Sequence, residues 1–301
     1  MPLTDRLIGS LALALAMLPA WSPEPLLAAE SVRKAEKLLA LQRPLVIGHR
    51  GFSAAAPENT LPSFKLALAA AADLVELDYY HTSDGVPVVI HDPDLDRTTD
   101  SVKRWGTKKT RVESKSVAEL RSLDAGAWKD TQFTGTKLPL LTEALDLIQS
   151  NGVTLIERKA GDPATCVKLL KERNLVNDVI VQAFDWEYLR GLHALEPAQI
   201  LGALGPPGTR DGRKLSDAEK KLTAEWVEKA NDSGARIVVW NRMLDRPAVE
   251  TAHRRGLKVW VYTINDAEVA NGLLDLGIDG IITDNPALVW RTLALRPRTA
   301  R

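Results

Sequence analysis

Eight short apolar runs, separated by helix-like segments, dominate the chain from residue 44 onward. Each run is rich in Val, Ile or Leu and is bounded by Gly, Asn or Asp, as buried strands are. Several of the intervening segments open with Ser, Thr or Asp and close at Gly or Asn, which is typical of capped helices. The strand-like runs are LVIGH (45–49), LVELDYY (74–80), VTLIERK (153–159), DVIVQAF (178–184), QILGALG (199–205), RIVVWN (236–241), KVWVYTIN (258–265) and GIDGIITD (277–284).

This alternation indicates a parallel sheet that is covered by helices. Eight such units predict an α/β fold that closes into a (β/α)8 TIM barrel. A doubly wound open sheet is the alternative, and it would usually carry a glycine fingerprint after its first strand. Here GHRGFS (48–53) places a histidine and an arginine where a dinucleotide loop needs bare backbone, and LGALGPPG (201–208) reads as a plain loop.

One segment interrupts the alternation of strands and helices. Residues 93–138 are too long for a simple connection between a strand and a helix, so we predict a small insertion after the second barrel strand, at the mouth of the barrel. VPVVIHD (86–92), just before it, is expected to pair with LVELDYY (74–80) across the SDG turn. Farther along, SDAEKKLTAEWVEKANDS (216–233) is among the segments expected to be helical.

The N-terminal residues differ in kind from the rest. Arg6 precedes an apolar stretch from 7 to 18, and small residues follow. This pattern is typical of a secretory signal peptide over 1–29, with cleavage near Ala28 or Ala29. An uncleaved anchor is the alternative, but the run is short for a membrane span. We therefore expect an exported protein, periplasmic or secreted, with a barrel domain over 30–301 and no stable membrane insertion after cleavage.

Charge and cysteine content narrow the range of functions. Lys plus Arg and Asp plus Glu both number 39, so the net charge is zero, which argues against general nucleic-acid binding. A local positive pocket for a small anion stays open. The single cysteine, Cys166, excludes an intramolecular disulfide. We expect it to be a buried core residue, with a nucleophile as the minor alternative.

Two pairs of polar residues at strand ends indicate a metal site. Glu76 and Asp78 are two residues apart, so their side chains share one face of a strand whose neighbours are apolar. Buried carboxylates repel each other and lose solvation, and a divalent cation relieves both costs. Oxygen ligands favour Ca²⁺ or Mg²⁺. Glu157 and Lys159 repeat the spacing, which suits a metal with an anion bound to it. For Glu76 and Asp78 the alternative is an exposed strand end or two separate salt bridges, and for Glu157 and Lys159 it is an ion pair within the strand at the rim of the barrel.

Two of the five histidines follow apolar runs. His49 and His91 would lie at the same mouth of the barrel, where a pair of imidazoles can serve as general base and general acid. Arg50 adds a forked donor suited to phosphate oxygens. A lone histidine at a strand end is usually structural, but this combination points to metal-assisted cleavage of a phosphate ester.

Four motifs together resemble the glycerophosphodiester phosphodiesterase family. They are GHRGFSAAAPENT (48–60), VELDYYHTSDGVPVVIHD (75–92), LIERK (155–159) and GIDGIITDNP (277–286), in order along residues 45–290. The resemblance implies a TIM barrel that hydrolyses glycerophosphodiesters, small-molecule substrates, to an alcohol and sn-glycerol 3-phosphate. It implies that His49 and His91 are the acid/base pair, and that a glycerol hydroxyl attacks first to form a cyclic phosphate that water then opens.

The same resemblance assigns ligands for one divalent cation and for the phosphate. Glu76, Asp78 and Glu157 would bind the cation, Ca²⁺ or Mg²⁺. Arg50 and Lys159 would hold the phosphate. The sequence leaves open which histidine is the acid and which metal is used.

Further residues are expected near the site. The resemblance implies that the loop after the first strand places Glu58 near the site, and Gln182 ends a strand at the mouth. Glu58, Gln182 and Trp260 are expected to contact the substrate. Trp240 and Trp260 are expected at the same mouth, and Trp260 resembles a residue that packs on glycerol, with an aromatic of a barrel layer as the alternative. Asp284 is expected to be structural, as a cap of the last helix.

Two other functions remain as alternatives. One is a phosphodiesterase that acts on lysophospholipids like a lysophospholipase D, although the polar insertion argues against long acyl chains. The other is a non-catalytic periplasmic binder of phosphate esters. Three aromatic residues of the insertion either shape the choice of head group or pin the insertion down, namely Trp105, Trp128 and Phe133.

Overall fold

A closed ring of parallel strands lies at the centre of the fold. The structure, a computed structural model, describes residues 33–210 and 212–297. Within these residues eight strands pair in parallel, and the first pairs with both the second and the last, so that the ring closes. The prediction of a TIM barrel is confirmed, and the open sheet is excluded. The predicted signal peptide at 1–29 lies outside the described residues.

The strands of the described chain fall into a barrel and two small additions. β1, β2, β4, β5, β6, β9, β10 and β11 form the barrel, β3 pairs antiparallel with β2, and β7 and β8 form a hairpin. In chain order they are β1 (Leu45–Gly48), β2 (Leu74–His81), β3 (Pro87–Val89), β4 (Val153–Arg158), β5 (Ile180–Ala183), β6 (Ile200–Leu204), β7 (Thr209–Arg210), β8 (Arg213–Lys214), β9 (Ile237–Trp240), β10 (Lys258–Val261) and β11 (Gly280–Thr283).

Among the residues that the structure describes, a helix follows each barrel strand, while one further helix precedes β1 and two belong to the insertion. The helices are α1 (Lys34–Leu39), α2 (Leu61–Ala69), α3 (Ser101–Trp105), α4 (Val117–Ser122), α5 (Leu141–Gln149), α6 (Pro163–Glu172), α7 (Trp186–Leu195), α8 (Ala224–Asn231), α9 (Arg246–Arg254), α10 (Ala267–Asp275) and α11 (Pro286–Leu295). Asp162, Asp185, Asp245 and Asp266 cap four of them by accepting a backbone N–H, as the capping pattern predicts. Cys166, on α6, is buried as predicted.

The first helix covers the end of the barrel opposite the mouth. Ala35 and Leu39 of α1 pack in the interior cluster with Leu45, Leu74 and Val153, which stand at the beginnings of their strands. Because this end is plugged by apolar side chains, the open mouth lies at the carboxyl ends of the strands, where loops of such barrels carry function.

Alternation along β2 directs its carboxylates inward. Leu74 belongs to the interior cluster, whereas Val75 and Leu77 pack in the outer cluster between strands and helices. Since side chains alternate along a strand, Glu76 and Asp78 share the interior side with Leu74. Both carboxylates therefore point into the barrel near its mouth.

The insertion has an apolar core of its own. β3 pairs with β2 as predicted, with Tyr79 opposite Val89. The chain then forms α3, α4 and two short 3-10 helices, Val112–Ser114 and Thr131–Phe133. The cluster beneath them contains Val88, Ile90, Leu95, Val112, Leu120, Leu123, Ala125 and Leu138. The polar sequence thus covers a small buried core, which holds the insertion in a defined position.

Two segments differ from the sequence-based expectation. Residues 216–233 are divided into a 3-10 helix, Ala218–Lys220, and α8, because Thr223 between them caps α8 through the N–H of Trp226. The segment LGALGPPG is not a plain loop, because its first four residues, 201–204, belong to β6, and the loop that follows them leads into the β7–β8 hairpin. No helix in the described part of the chain is long and apolar enough to cross a membrane.

Candidate active site

Three acidic side chains lie inside the barrel at the ends of neighbouring strands. Glu76 and Asp78 belong to β2 and Glu157 to β4, and the register of these strands places Asp78 beside Glu157. All three are buried, and one oxygen from each lies within 4.8 Å of the others. The structure therefore brings together the three residues that the sequence suggested as ligands of a cation.

Three carboxylates buried this close together need nearby positive charge to remain ionised. Burial, reinforced by the charges of Asp78 and Glu157, raises the pKa of Glu76 well above its usual value. Burial and the charge of Asp78 raise the pKa of Glu157 to about 7. Glu76 Oε1 has no hydrogen-bond partner among the described residues. A buried acceptor of this kind, within reach of two further carboxylates, fits a hard divalent cation with oxygen ligands.

Lys159 supplies part of the positive charge. Its Nζ lies 3.1 Å from Asp78 Oδ1 and also contacts Glu157 Oε1. Burial alone would raise the pKa of Asp78, but Lys159 and Arg50 together hold it below its usual value. Burial alone would lower the pKa of Lys159, but Asp78 and Glu157 raise it. The lysine therefore remains charged and faces the carboxylates.

Arg50 has an unusual backbone conformation at the end of β1. Its φ of 54° lies in the left-handed region, where strain is common at functional sites. Gly51 follows with φ 87°, and a Cβ there would lie 2.6 Å from the backbone carbon of Ser63. As a result of this turn, the backbone N–H of Arg50 donates to Glu76 Oε2 at 2.8 Å. The guanidinium Nε of Arg50 lies 3.4 Å from Asp78 Oδ2.

His49 is oriented by a carboxylate from the other end of the chain. Its Nδ1 lies 2.7 Å from Asp284 Oδ1, which also accepts from Ser53 Oγ at 2.9 Å. Asn265 donates to Asp284 Oδ2 at 2.6 Å. Burial would raise the pKa of Asp284, but these partners lower it to about 2. Because the carboxylate accepts the Nδ1 proton, the Nε2 atom of His49 remains for proton transfer.

His91 has the same arrangement with its neighbour in sequence. Its Nδ1 lies 2.7 Å from Asp92 Oδ1. Burial would raise the pKa of Asp92, but Arg97 and His91 lower it to about 2. Burial, with the charges of Arg50 and Lys159, lowers the pKa of His91. The lowered pKa favours the neutral imidazole, the form that can accept a proton.

Both histidines open onto a cavity of about 170 Å³. Gln182 lies in this cavity as predicted, in register with Glu157 on the neighbouring strand. Phe184 and Tyr262 form an edge-to-face pair at its apolar side. The cavity is lined by His49, Arg50, Glu76, His91, Glu157, Lys159, Gln182, Phe184, Leu204, Tyr262, Thr263 and Ile282.

A second, more open depression of about 470 Å³ adjoins the cavity. His49 and Arg50 line both. Its far side is formed by Trp128 and Lys129 of the insertion, and Lys129 Nζ donates to the carbonyl of Ser53 at 2.8 Å. A ligand centred on His49 and Arg50 can therefore extend in two directions, into the cavity and toward the insertion.

The two tryptophans do not line this cavity. Trp240 is directed outward, where it packs with Trp186 and Trp226, so the expectation that it lies at the mouth is wrong. Trp260 is fully buried in the interior cluster beside Ile282. Its burial favours the alternative of a barrel-layer aromatic over direct contact with glycerol.

Sequence reasoning missed several partners of the site. Asp284 orients His49, whereas Asn285 caps α11 by accepting from Leu288, so the predicted cap at Asp284 is wrong. Asn59 precedes the cap residue of α2 and donates to Asp78 Oδ2 at 2.8 Å. In the sequence, Asp284 and Asn59 are marked only by the ITDNP and PENT motifs, which do not indicate the hydrogen-bond partners of these residues. Asp92 could have been found, because it follows His91 directly.

Comparisons with known proteins agree with this geometry. The model of the glycerophosphoryl diester phosphodiesterase family matches residues 49–288. A glycerophosphodiester phosphodiesterase of Bacillus subtilis is 30% identical over 274 residues, which cover 83% of this chain and 87% of that protein. One from Caldanaerobacter subterraneus is 31% identical over 251 residues, which cover 81% and 95%. The family resemblance predicted from the motifs is confirmed.

Solved structures give the same result. The crystal structure of a glycerophosphodiester phosphodiesterase from Agrobacterium tumefaciens has a TM-score of 0.67 at 28% identity and covers 82% of this chain and 98% of that one. An Oleispira antarctica phosphodiesterase in complex with the product sn-glycerol-3-phosphate has a TM-score of 0.72 at 28% identity, and covers 84% and 97%. The similarity thus extends over the whole barrel.

Proposed function

Because the chain belongs to the glycerophosphoryl diester phosphodiesterase family, we propose that it hydrolyses glycerophosphodiesters to an alcohol and sn-glycerol 3-phosphate, using one divalent cation and a pair of histidines. The product found in the Oleispira antarctica relative supports the identity of the phosphate product. The observation that carries the proposal is the convergence of two carboxylate-oriented imidazoles, His49 and His91, on a cavity that also contains buried acidic residues.

Cationic side chains of the cavity would bind the phosphodiester. Arg50 donates through one Nη to Glu58 at 2.7 Å, which leaves part of its guanidinium for phosphoryl oxygens. Lys159, which directly follows β4, lines the same cavity. Both cations stay charged at neutral pH, so they hold the anion and stabilise the charge that develops on its oxygens during the reaction.

The two histidines would transfer the protons. In each, a carboxylate holds Nδ1–H and leaves Nε2 toward the reacting atoms. One imidazole takes the proton from the attacking glycerol hydroxyl while the other donates a proton to the oxygen of the leaving alcohol. In the second step, the same pair activates water and opens the cyclic phosphate that the first step forms.

Glu76, Asp78 and Glu157 would hold the cation. A bound Ca²⁺ or Mg²⁺ supplies positive charge for the carboxylates and for the phosphoryl oxygens. The purely oxygen ligand set and the unpaired Glu76 Oε1 support a hard cation at this position.

The decisive experiment is the release of glycerol 3-phosphate from glycerophosphocholine by the purified protein with Ca²⁺, with Mg²⁺ and with a chelator. We expect release that depends on the cation. Folded protein that releases nothing with either ion, but cleaves lysophosphatidylcholine, would replace this proposal with a lysophospholipase D-like activity. Binding of glycerophosphodiesters without turnover would replace it with a binding protein.

Histidine variants test the mechanism. His49→Ala and His91→Ala should each lower kcat by about 10²–10⁴-fold, the usual contribution of a general acid or base. His253→Ala is the matched control. His253 forms a similar pair with Asp279, at 2.8 Å, but His253 lies on α9 and Asp279 immediately precedes β11 at the opposite end of the barrel. Activity retained in either site variant, with the control also active, rules out the proposed roles.

We also propose that the protein is exported, on the strength of the signal-like pattern at 1–29. The test is N-terminal sequencing of the protein recovered from separated cell fractions. A mature N-terminus near residue 30 in the periplasmic or external fraction supports export. Full-length protein confined to the cytoplasmic fraction contradicts it.

A further inference from the structure

Arg97, in the insertion, joins two carboxylates at the mouth of the barrel. Its Nε donates to Asp92 Oδ2 at 2.7 Å and its Nη2 to Asp92 Oδ1 at 3.1 Å. Its Nη1 donates to Glu58 Oε2 at 2.7 Å and Nη2 also to Glu58 Oε1 at 2.8 Å. The planar guanidinium is therefore bidentate toward both carboxylates at once, a geometry that only arginine provides.

Each of these carboxylates touches a residue of the proposed site. Asp92 Oδ1 accepts from His91 Nδ1 at 2.7 Å. Glu58 Oε1 accepts from an Nη of Arg50, also at 2.7 Å. Arg97 thus stands one contact away from the histidine that moves a proton and one contact away from the arginine that faces the phosphate.

Glu58 and Asp92 lie on separate loops, which Arg97 joins. Glu58 lies in the loop after β1, whereas Asp92 lies after β3, outside the ring of barrel strands. The parallel ladder fixes β1 and β2, but it does not fix the two loops relative to each other. Arg97 connects them directly, by an ion pair with each.

We propose that Arg97 is a positioning residue that holds the phosphate-binding arginine and one catalytic histidine in place at the same time. This inference rests on the proposed roles of Arg50 and His91. Without Arg97, Asp92 loses the partner that fixes its orientation toward His91. Glu58 is then left to Arg50 alone, and a carboxylate with both oxygens available draws that guanidinium away from the phosphate.

A merely structural role makes a different prediction. The Arg97 side chain is 44% exposed, and ion pairs at such positions contribute little to stability. If Arg97 did no more than join the two loops, its loss would act on Tm alone and leave the turnover of the folded protein intact. A positioning residue would change turnover while Tm stays nearly constant.

The test compares Arg97→Gln with Arg97→Lys. For Arg97→Gln we expect kcat/KM on glycerophosphocholine to fall about 10²-fold, the effect of displacing reacting groups by roughly 1 Å. Both constants should change, kcat through His91 and KM through Arg50. Arg97→Lys keeps the charge but not the fork, so we expect it to remain at least about tenfold below wild type.

Arg111→Gln is the matched control. Arg111 also lies in the insertion and pairs only with exposed Glu113 among the described residues, so its loss should leave kcat and KM unchanged. Wild-type rates in Arg97→Gln, full recovery in Arg97→Lys, a change confined to either kcat or KM, or an equal loss in Arg111→Gln would each overturn the inference.

A readout independent of turnover separates this inference from the proposed function. In spectra of protein labelled with ¹⁵N-histidine, the Nδ1 resonance of His91 should shift in Arg97→Gln, because its hydrogen bond to Asp92 is disturbed. The resonance of His253 should not move. If the wild type shows no hydrolysis, the proposed function fails while this shift still tests Arg97, and an unchanged His91 resonance overturns the inference.

Discussion

His49 Nδ1 lies 2.7 Å from Asp284 Oδ1, although 235 positions separate the two residues in the chain. The contact forms because β1 pairs with β11, which places the ends of the first and last barrel strands side by side. The carboxylate is itself held by Ser53 and Asn265. The orientation of His49 is therefore a product of barrel closure.

Asp284→Asn should impair catalysis more than folding. The amide keeps the shape of the carboxylate but can donate to Nδ1, which favours the wrong tautomer of His49. We expect kcat to fall by about 10²-fold or more, with Tm nearly unchanged, measured by steady-state kinetics and thermal unfolding. Asp279→Asn, which alters the equivalent pair with His253 at the other end of the barrel, controls for general effects. A kcat within about twofold of wild type would show that Asp284 does not orient His49.

Divalent cations should stabilise the protein more at pH 8 than at pH 5. The folded-state pKa of Glu157 is raised to about 7 from 4.5, so its protonation favours the folded state. In metal-free protein this contribution is fully present below about pH 4.5 and is lost as the pH rises through about 7. A cation replaces the proton, and at 100 times its Kd it adds about 2.7 kcal/mol.

The measurement is Tm with and without Ca²⁺ or Mg²⁺ at both pH values. Glu157→Gln is the comparison, because it removes the titrating group and replaces a charged ligand by a neutral amide oxygen, so the cation-induced shift of Tm should become small. An equal shift of Tm at pH 5 and pH 8 in the wild type would contradict the assignment of these carboxylates as ligands.

Lys129 should influence the choice of head group. It stands at the second depression, beyond His49 and Arg50, where the alcohol portion of a diester would extend. A lysine disfavours a cationic head group such as choline, by about 1 kcal/mol at 4 Å in water. We expect Lys129→Gln to raise kcat/KM for glycerophosphocholine relative to glycerophosphoglycerol roughly fivefold. Lys137→Gln, another lysine of the insertion that donates to backbone carbonyls, should leave this ratio unchanged. An unaltered ratio in Lys129→Gln would place the alcohol elsewhere.

Gly280→Ala should destabilise the barrel. An added Cβ would lie 2.6 Å from Cδ1 of Trp260, on the neighbouring strand. Such overpacking costs about 1–3 kcal/mol, which can be measured by denaturant unfolding. Trp260→Phe should relieve part of this cost in the double variant, since the smaller ring leaves room.

The same Trp260→Phe variant distinguishes the two interpretations of the tryptophan. An aromatic of a barrel layer predicts reduced stability and an unchanged KM. A large rise in KM with stability intact would favour direct contact with glycerol instead.

The architecture and the inward direction of the acidic side chains follow from local sequence patterns. Eight strands can be predicted because a buried strand needs a short run of apolar residues, and such a run can be recognised from the local sequence alone. The two-residue spacing of Glu76 and Asp78 determines that they share a face, because side chains alternate along any strand. His49 and Arg50 could be placed at the mouth because they lie at the carboxyl end of a predicted barrel strand.

The hydrogen-bond partners of these residues, in contrast, depend on how distant segments pack in the folded barrel. Asp284 reaches His49, and Arg97 reaches both Glu58 and Asp92, because barrel closure and the packed insertion bring distant segments together. No local periodicity encodes such contacts, since they depend on strand register and loop path. For the same reason, the burial of Trp260 in an inner layer could not be read from its strand alone.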